Sequence, residues 1–165
     1  MPARGTQQEQ IMNDVAEPYG KPIVLTDGPF AGWTTWGAGA DPFETHIGPL
    51  CFKIEDDRSI RTGFEPKRHH LNGGGALHGG ALMGFADFSL FAIAHHELRG
   101  VHAVTVTCNS EFISAGDLNG LVEARGEVLR DTRSLVFVRG LITQASRPLL
   151  AFSGTLKKIN PRPRA

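Results

Sequence analysis

The stretch His78-Gly-Gly-Ala-Leu-Met-Gly-Phe-Ala-Asp87-Phe-Ser-Leu-Phe-Ala-Ile-Ala94 decides how the rest of the chain is read. Apolar residues fall on every side of a 3.6-residue turn. A helix from Gly79 to about Leu98, ending near Arg99-Gly100, should therefore be buried on most sides. The apolar run Ala81–Ala94 is shorter than a bilayer requires and contains Asp87, so no membrane span is expected. A carboxylate among such neighbours is costly to bury unless it finds partners. An aspartate that leans to solvent or pairs with a buried hydroxyl is the bland explanation. His78-Gly79-Gly80 at the helix start favours a chemical one. The first amides of a helix lack internal partners, and the macrodipole makes that end partly positive. Glycines let a carbonyl oxygen approach those amides, which makes this a candidate oxyanion hole of the kind acyl transfer needs. A tight entry turn or close helix–sheet packing would also use two glycines, and His78 by itself would serve as a cap.

Spacing adds a constraint. Gly80 and Asp87 are seven residues apart, so they share a face but lie ~10 Å apart along the axis. One carbonyl cannot easily touch both. If both serve one reaction, the carboxylate comes from a second subunit whose helix runs antiparallel, which predicts an isologous homodimer with two composite sites.

Outward from the helix, alternation marks strands. Leu50, Phe52 and Ile54 alternate, Asp56-Asp57 marks a turn, and Ile60, Thr62 and Phe64 alternate again. Pro66 to Leu77 reads as a loop containing Gly73 to Gly75. After the helix come Val101–Ile113, Leu121–Leu129, Leu135–Thr143 and Leu149–Ile159, with Val104, Val106, Cys108, Ser110 and Phe112 expected on one face of the first. Such tightly connected strands pair antiparallel. One apolar helix buries most of its surface if the sheet curls around it, which gives an α+β architecture. Residues 1–46 are expected to pack on the core as an extension. Gln7–Ala16 reads as a short helix, and the glycine-rich Gly28–Asp41, with Trp33 and Trp36, as irregular chain.

Composition excludes several classes. Among 165 residues, 17 basic and 17 acidic side chains cancel, so no global field draws the chain to nucleic acid or a membrane surface. Cys51 and Cys108 sit among strand-core neighbours and read as buried thiols in a reducing compartment; nothing beside Cys108 looks like an activating base. Met1–Gln10 lacks the apolar stretch of a signal peptide, which points to the cytoplasm. His69-His70, His78 and His95-His96 do not complete a ligand set, so no metal is expected. Gly73–Gly75 is followed by no Gly-Lys-Ser/Thr and is not a phosphate loop.

The combined pattern resembles the phenylacetate-pathway (PaaI-like) branch of the hotdog-fold thioesterases. The matching stretch is His70-Leu-Asn72-Gly-Gly-Gly75-Ala-Leu-His78-Gly79-Gly80, then six residues to Asp87; the likeness continues through Val104-Thr105-Val106, Asn109 and Phe112-Ile113 and covers roughly residues 48–158. It implies a hotdog domain over 47–160, with 161–165 as a tail, and an enzyme that hydrolyses an aryl or medium-chain acyl-CoA. Asp87 would be general base or nucleophile. Gly79 N–H and the Asn72 amide would polarise the thioester carbonyl. His78 would orient the substrate, and Thr105 would position the attacking water. Gly80, Met83 and Phe88, with Phe85 and the early aromatics, would line the substrate site. Arg133, with Lys157, Lys158 and Arg162, would meet the CoA phosphates. No cofactor is implied, since CoA is part of the substrate, and the partner is a second copy in a dimer or tetramer. A non-catalytic acyl-ligand module on the same fold would need no Asp87. A dehydratase or hydratase would use a differently spaced His and acid, which the chain lacks.

Overall fold

In the computed structural model the described residues are 22–36 and 41–159, so the expected helix over Gln7–Ala16 and the tail 161–165 lie outside them. One antiparallel sheet contains β1 (Pro22–Val24), β2 (Thr34–Trp36), β3 (Cys51–Ile54), β4 (Ile60–Phe64), β5 (His102–Phe112), β6 (Val122–Asp131), β7 (Leu135–Gln144) and β8 (Arg147–Ile159). Its order is β1-β2-β3-β4-β6-β7-β8-β5, so β5, the strand that follows the helix, pairs with the last one. The sheet curls, without closing, around the central helix Gly79–Ile93, the α+β hotdog arrangement that the sequence implies.

Alternation builds the inner face. Val136, Val138 and Ile142 on β7 and Leu150, Phe152 and Leu156 on β8 are buried in the same cluster as Leu82, Phe85, Leu90 and Ile93 from the helix. Each such side chain contributes about 1.5–3 kcal/mol when fully buried. Strand glycines bring the layers close: a Cβ at Gly126 would stand 2.7 Å from Ile93 Cδ1, and one at Gly154 would collide with Leu90 Cδ1. Inside this core Thr62 and Ser89 hydrogen-bond each other at 2.7 Å, which satisfies both hydroxyls.

Three expectations are corrected. The helix ends at Ile93 rather than near Leu98, because the chain tightens into short-range turns: His95 N–H donates to Ala92 O, and Gly100 takes φ +67°. It is buried on most sides, as expected, and one stripe stays uncovered: Gly80 and Met83 are exposed and Asp87 is half-buried. Val104, Val106, Cys108, Ser110 and Phe112 do not share one face. The register shifts between Thr105 and Thr107, which leaves Val104 43% and Val106 54% exposed while Ala103 is in the core. Cys51 is buried as expected, but Cys108 is half-buried.

The leading segment is more ordered than its glycines suggest. Thr34-Thr35-Trp36, β-branched and aromatic, forms β2 and pairs with β1 and with Phe52 of β3. Trp33 and Phe30 meet edge to face at 4.8 Å and pack with Cys51 in a second small cluster. A short helix, Pro42–Ile47, was not anticipated. Asp41 caps it by accepting from Glu44 N–H at 3.0 Å, and Pro42 occupies the first turn, where its missing N–H costs nothing.

Candidate active site

Asp87 emerges from the uncovered stripe of the central helix, and Thr105 reaches it from β5: Thr105 Oγ1 donates to Asp87 Oδ1 at 2.6 Å. The shift in register makes room for this contact. Thr105 and Cys108 are three residues apart, an odd spacing that would put them on opposite faces of an unbroken strand. With the extra residue between Thr105 and Thr107, Thr105 reaches the helix while Cys108 still packs against the core. Burial, and then the nearby Asp87, push the Cys108 thiol above its ordinary value. That disfavours the thiolate a cysteine nucleophile would need.

The helix start is held from three directions. His78 N–H donates to His70 O at 2.7 Å, Leu77 N–H donates to Gly116 O at 2.9 Å, and Leu71 and Leu77 form a bridge across the glycine loop. Within that loop Asn72 Oδ1 accepts from Gly74 N–H at 2.8 Å and Ala76 N–H at 3.2 Å. Two backbone donors on one oxygen fix which end of the amide is which, so the Asn72 NH₂ group points away from them and keeps its donors for another acceptor.

His78 is the N-cap, and its Nδ1 accepts from Gly80 N–H at 2.8 Å. The neutral ring therefore carries its proton on Nε2. This cap uses the Gly80 amide, whereas the Gly79 amide has no acceptor among the described residues. Phe112 lies over Gly79; a Cβ there would stand 3.0 Å from its ring. A side chain at position 79 would fill the approach to the free amide.

The structure thus gathers the expected residues into two groups. Asn72, His78, Gly79 and Gly80 stand at the helix start, and Asp87 and Thr105 stand eight residues further on, ~12 Å along the axis. Met83 lies between them on the exposed stripe. Phe88 is placed elsewhere: it is 1% exposed and packs edge to face on Trp36 at 4.9 Å, inside the core with Phe85. Arg133 is exposed in the β6–β7 turn. Lys158 is held by Asp131 at 2.6 Å, and Arg162 lies outside the described residues.

One residue near the site was missed. Glu44, half-buried on the short helix, has its carboxyl pushed up to about 7, first by burial and then by repulsion from Asp41 and Asp87. The Asp-Pro start at Asp41-Pro42 could have revealed its helix, but nothing in sequence links it to Asp87. Among the described residues no group of three or more His, Cys, Asp or Glu could hold a metal ion, and no helix is long and apolar enough to cross a membrane.

Residues 74–151, from the glycine loop to β8, match the family model of the thioesterase superfamily. No curated protein sequence matches the chain. Among solved structures, a conserved protein from Pseudomonas aeruginosa is similar with TM-score 0.65 and 22% identity, over 72% of this chain and 94% of its own. The PaaI protein of the Escherichia coli phenylacetic acid degradation operon is similar with TM-score 0.64 and 18% identity, over 73% of this chain and 86% of its own. A hypothetical thioesterase from Streptococcus pneumoniae, solved with coenzyme A, is similar with TM-score 0.60 and 20% identity, over 68% of this chain and 88% of its own. The structures establish the hotdog fold, and the match of residues 74–151 to the thioesterase superfamily supports a thioester hydrolase built on it.

Proposed function

We propose that this protein hydrolyses acyl-CoA thioesters carrying an aryl or medium-chain acyl group, with Asp87 as the general base. The observation that carries this reading is the 2.6 Å bond from Thr105 Oγ1 to Asp87 Oδ1 on a helix whose first amide, Gly79 N–H, has no acceptor among the described residues. Thr105 fixes one carboxylate oxygen and the other can take a proton from water. Water then attacks the thioester carbonyl, the Gly79 N–H and Asn72 NH₂ groups stabilise the oxyanion, and the C–S bond breaks to release acid and CoA. His78 serves this site by holding the helix start through its cap, with Nε2–H directed away from Gly80 as a donor for substrate. The pneumococcal neighbour's coenzyme A supports CoA as the carrier.

The ~12 Å between Gly79 and Asp87 calls for a second copy. Two features support one: the uncovered helical stripe of Gly80, Met83 and half-buried Asp87, and β5, which has β8 as its one neighbour among the described strands and carries exposed Val104 and Val106, with Ile113 just beyond. A two-fold axis across that strand sets Gly79 of one protomer opposite Asp87 of its partner.

Thiol release from short, medium, long and aryl acyl-CoAs, measured with wild type and Asp87→Asn, tests the reading. Hydrolysis by the wild type, slowed by orders of magnitude in Asp87→Asn, supports it. Binding without thiol release in both makes the protein an acyl-CoA receptor instead. A single turnover in ¹⁸O-water separates base from nucleophile, because a nucleophilic Asp87 would acquire label.

A further inference from the structure

Between the β1–β2 hairpin and the short helix lies a cavity of about 290 Å³ that the chemistry above leaves unused. Small-ligand pockets run from roughly 300 to 1,000 Å³, so it is of a size to take a short organic chain. Ile23, Leu25, Trp36 and Leu50 make its apolar wall, and the short helix adds Asp41 and Glu44. Two contacts tie the cavity to the candidate base. Trp36 meets Phe88, the residue after Asp87, at 4.9 Å. Phe43 and Ile47, on either side of Glu44 in the short helix, close over Gly84 one turn before Asp87, where a Cβ would stand 3.1 and 2.9 Å from them. Asp87 is near enough to repel charge on Glu44.

The electrostatics specify what Glu44 can bind. The charged groups that act on it are Asp41 from its own helix and Asp87 from the central helix, both acidic. The hairpin and the approach to β3 line the cavity with neutral side chains, and no cation stands among the lining residues. Its carboxyl has no hydrogen bond or ion pair among the described residues, and its proton is retained to about pH 7. A neutral carboxyl against an apolar wall presents one strong donor, and that donor needs a neutral oxygen to meet.

We propose that this cavity receives the acyl chain and that Glu44, as a hydrogen-bond donor, selects aliphatic chains bearing a hydroxyl or keto oxygen. This selectivity, which rests on the thioesterase reading of the Asp87 site, is read as a ratio of affinities. Asp87→Asn protein is titrated calorimetrically with octanoyl-CoA and its 3-hydroxy, 3-oxo and 3-amino analogues. At about pH 5.5, below the release of the Glu44 proton, the two oxygenated chains bind about three- to tenfold tighter than the plain one, the worth of one net hydrogen bond. At about pH 8 the 3-oxo preference disappears, because a carboxylate has no proton to donate, while the 3-hydroxy chain keeps its preference by donating instead. Adding Glu44→Leu brings the ratios near one, and Glu44→Gln, whose amide still donates, restores the 3-oxo preference at both pH values. Equal affinities for plain and oxygenated chains overturn the assignment, as does a Glu44→Leu loss proportionate for every chain. Tightest binding of the 3-amino chain already at about pH 5.5 makes the cavity a cation pocket and also overturns it. Wild type that releases no thiol while the ratios persist sinks the catalytic reading and leaves the pocket standing.

Discussion

Thr105 Oγ1 donates to Asp87 Oδ1 at 2.6 Å, from β5 to the central helix, and this bond orients the carboxylate. Thr105→Val keeps the volume and removes the donor. Thiol release under saturating substrate should fall about tenfold, the worth of one hydrogen bond to a charged acceptor, while Thr105→Ser stays near wild type. Asp87→Asn should cost about 10²–10⁴, as expected for a lost general base. Equal loss in Thr105→Ser would make the threonine a packing residue instead.

Val106 is 54% exposed on β5, which has β8 as its one neighbour among the described strands. Val106→Lys places a charge where a second copy would pair, a device that blocks strand-edge association. Light scattering should give a monomer, and thiol release should disappear with the dimer because Gly79 and Asp87 then lack their partners. A monomer that still hydrolyses thioesters would refute the composite site.

Glu44 imposes a pH slope on stability. The folded chain holds its proton to about 7, whereas the unfolded chain releases it near 4.5. The associated stability is fully present below the lower value and is lost as pH rises through the upper one. After discounting for solvent around a half-buried group, the loss is about 1–2 kcal/mol. Urea melts at about pH 5.5 and 8 should show it in wild type and not in Glu44→Gln.

His70 works in the opposite direction. It is buried, its Nδ1 accepts from Lys67 N–H at 2.8 Å, and its Nε2–H donates to Ile47 O at 2.9 Å. Burial, the largest cause, lowers its value below the ordinary 6.5, so its contribution is present above that pH and lost as pH falls through the folded value. An NMR titration should find the His70 midpoint below that of an ordinary exposed histidine, which is half protonated at about pH 6.5. A His70 signal that titrates with the exposed ones would contradict this.

Cys51 is buried and donates to Gly63 O at 3.1 Å, and burial pushes its thiol up to about 12. A disulfide reagent at about pH 8 should label the half-buried Cys108 first and reach Cys51 only after denaturant is added. Rapid modification of both would mean that the β3–β4 layer opens readily.

The central helix and its meander were legible because their signals are local. Apolar residues around a full helical turn and period-two runs such as Leu50, Phe52 and Ile54 need no tertiary knowledge. The candidate site residues came from a pattern spanning Asn72 to Asp87 and its continuation to Thr105, which the fold brings beside Asp87. Three things were not. The irregular register at Thr105–Thr107 is written in no residue preference; it arises because β8 and the helix must both be satisfied by one strand. Phe88 was expected at the substrate, but its direction was settled by Trp36, 52 residues earlier. Glu44 acquired its environment from Asp87 on a different helix, a proximity that only the fold creates.

The sheet order also dictates when this protein can come into being during synthesis. Thr105 pairs with Leu156, and β5 has β8 as its one neighbour among the described strands. A ribosome delivers Asp87 and Thr105 early, at ~5–20 residues per second, yet the strand carrying Thr105 has no edge to join until some fifty residues later. Until then its exposed valines are held by a growing chain whose inner layer is incomplete, the condition under which nascent β-strands associate wrongly. A chain halted within β7 would contain each residue proposed for thioester cleavage and still be unable to bring the hydroxyl to the carboxylate.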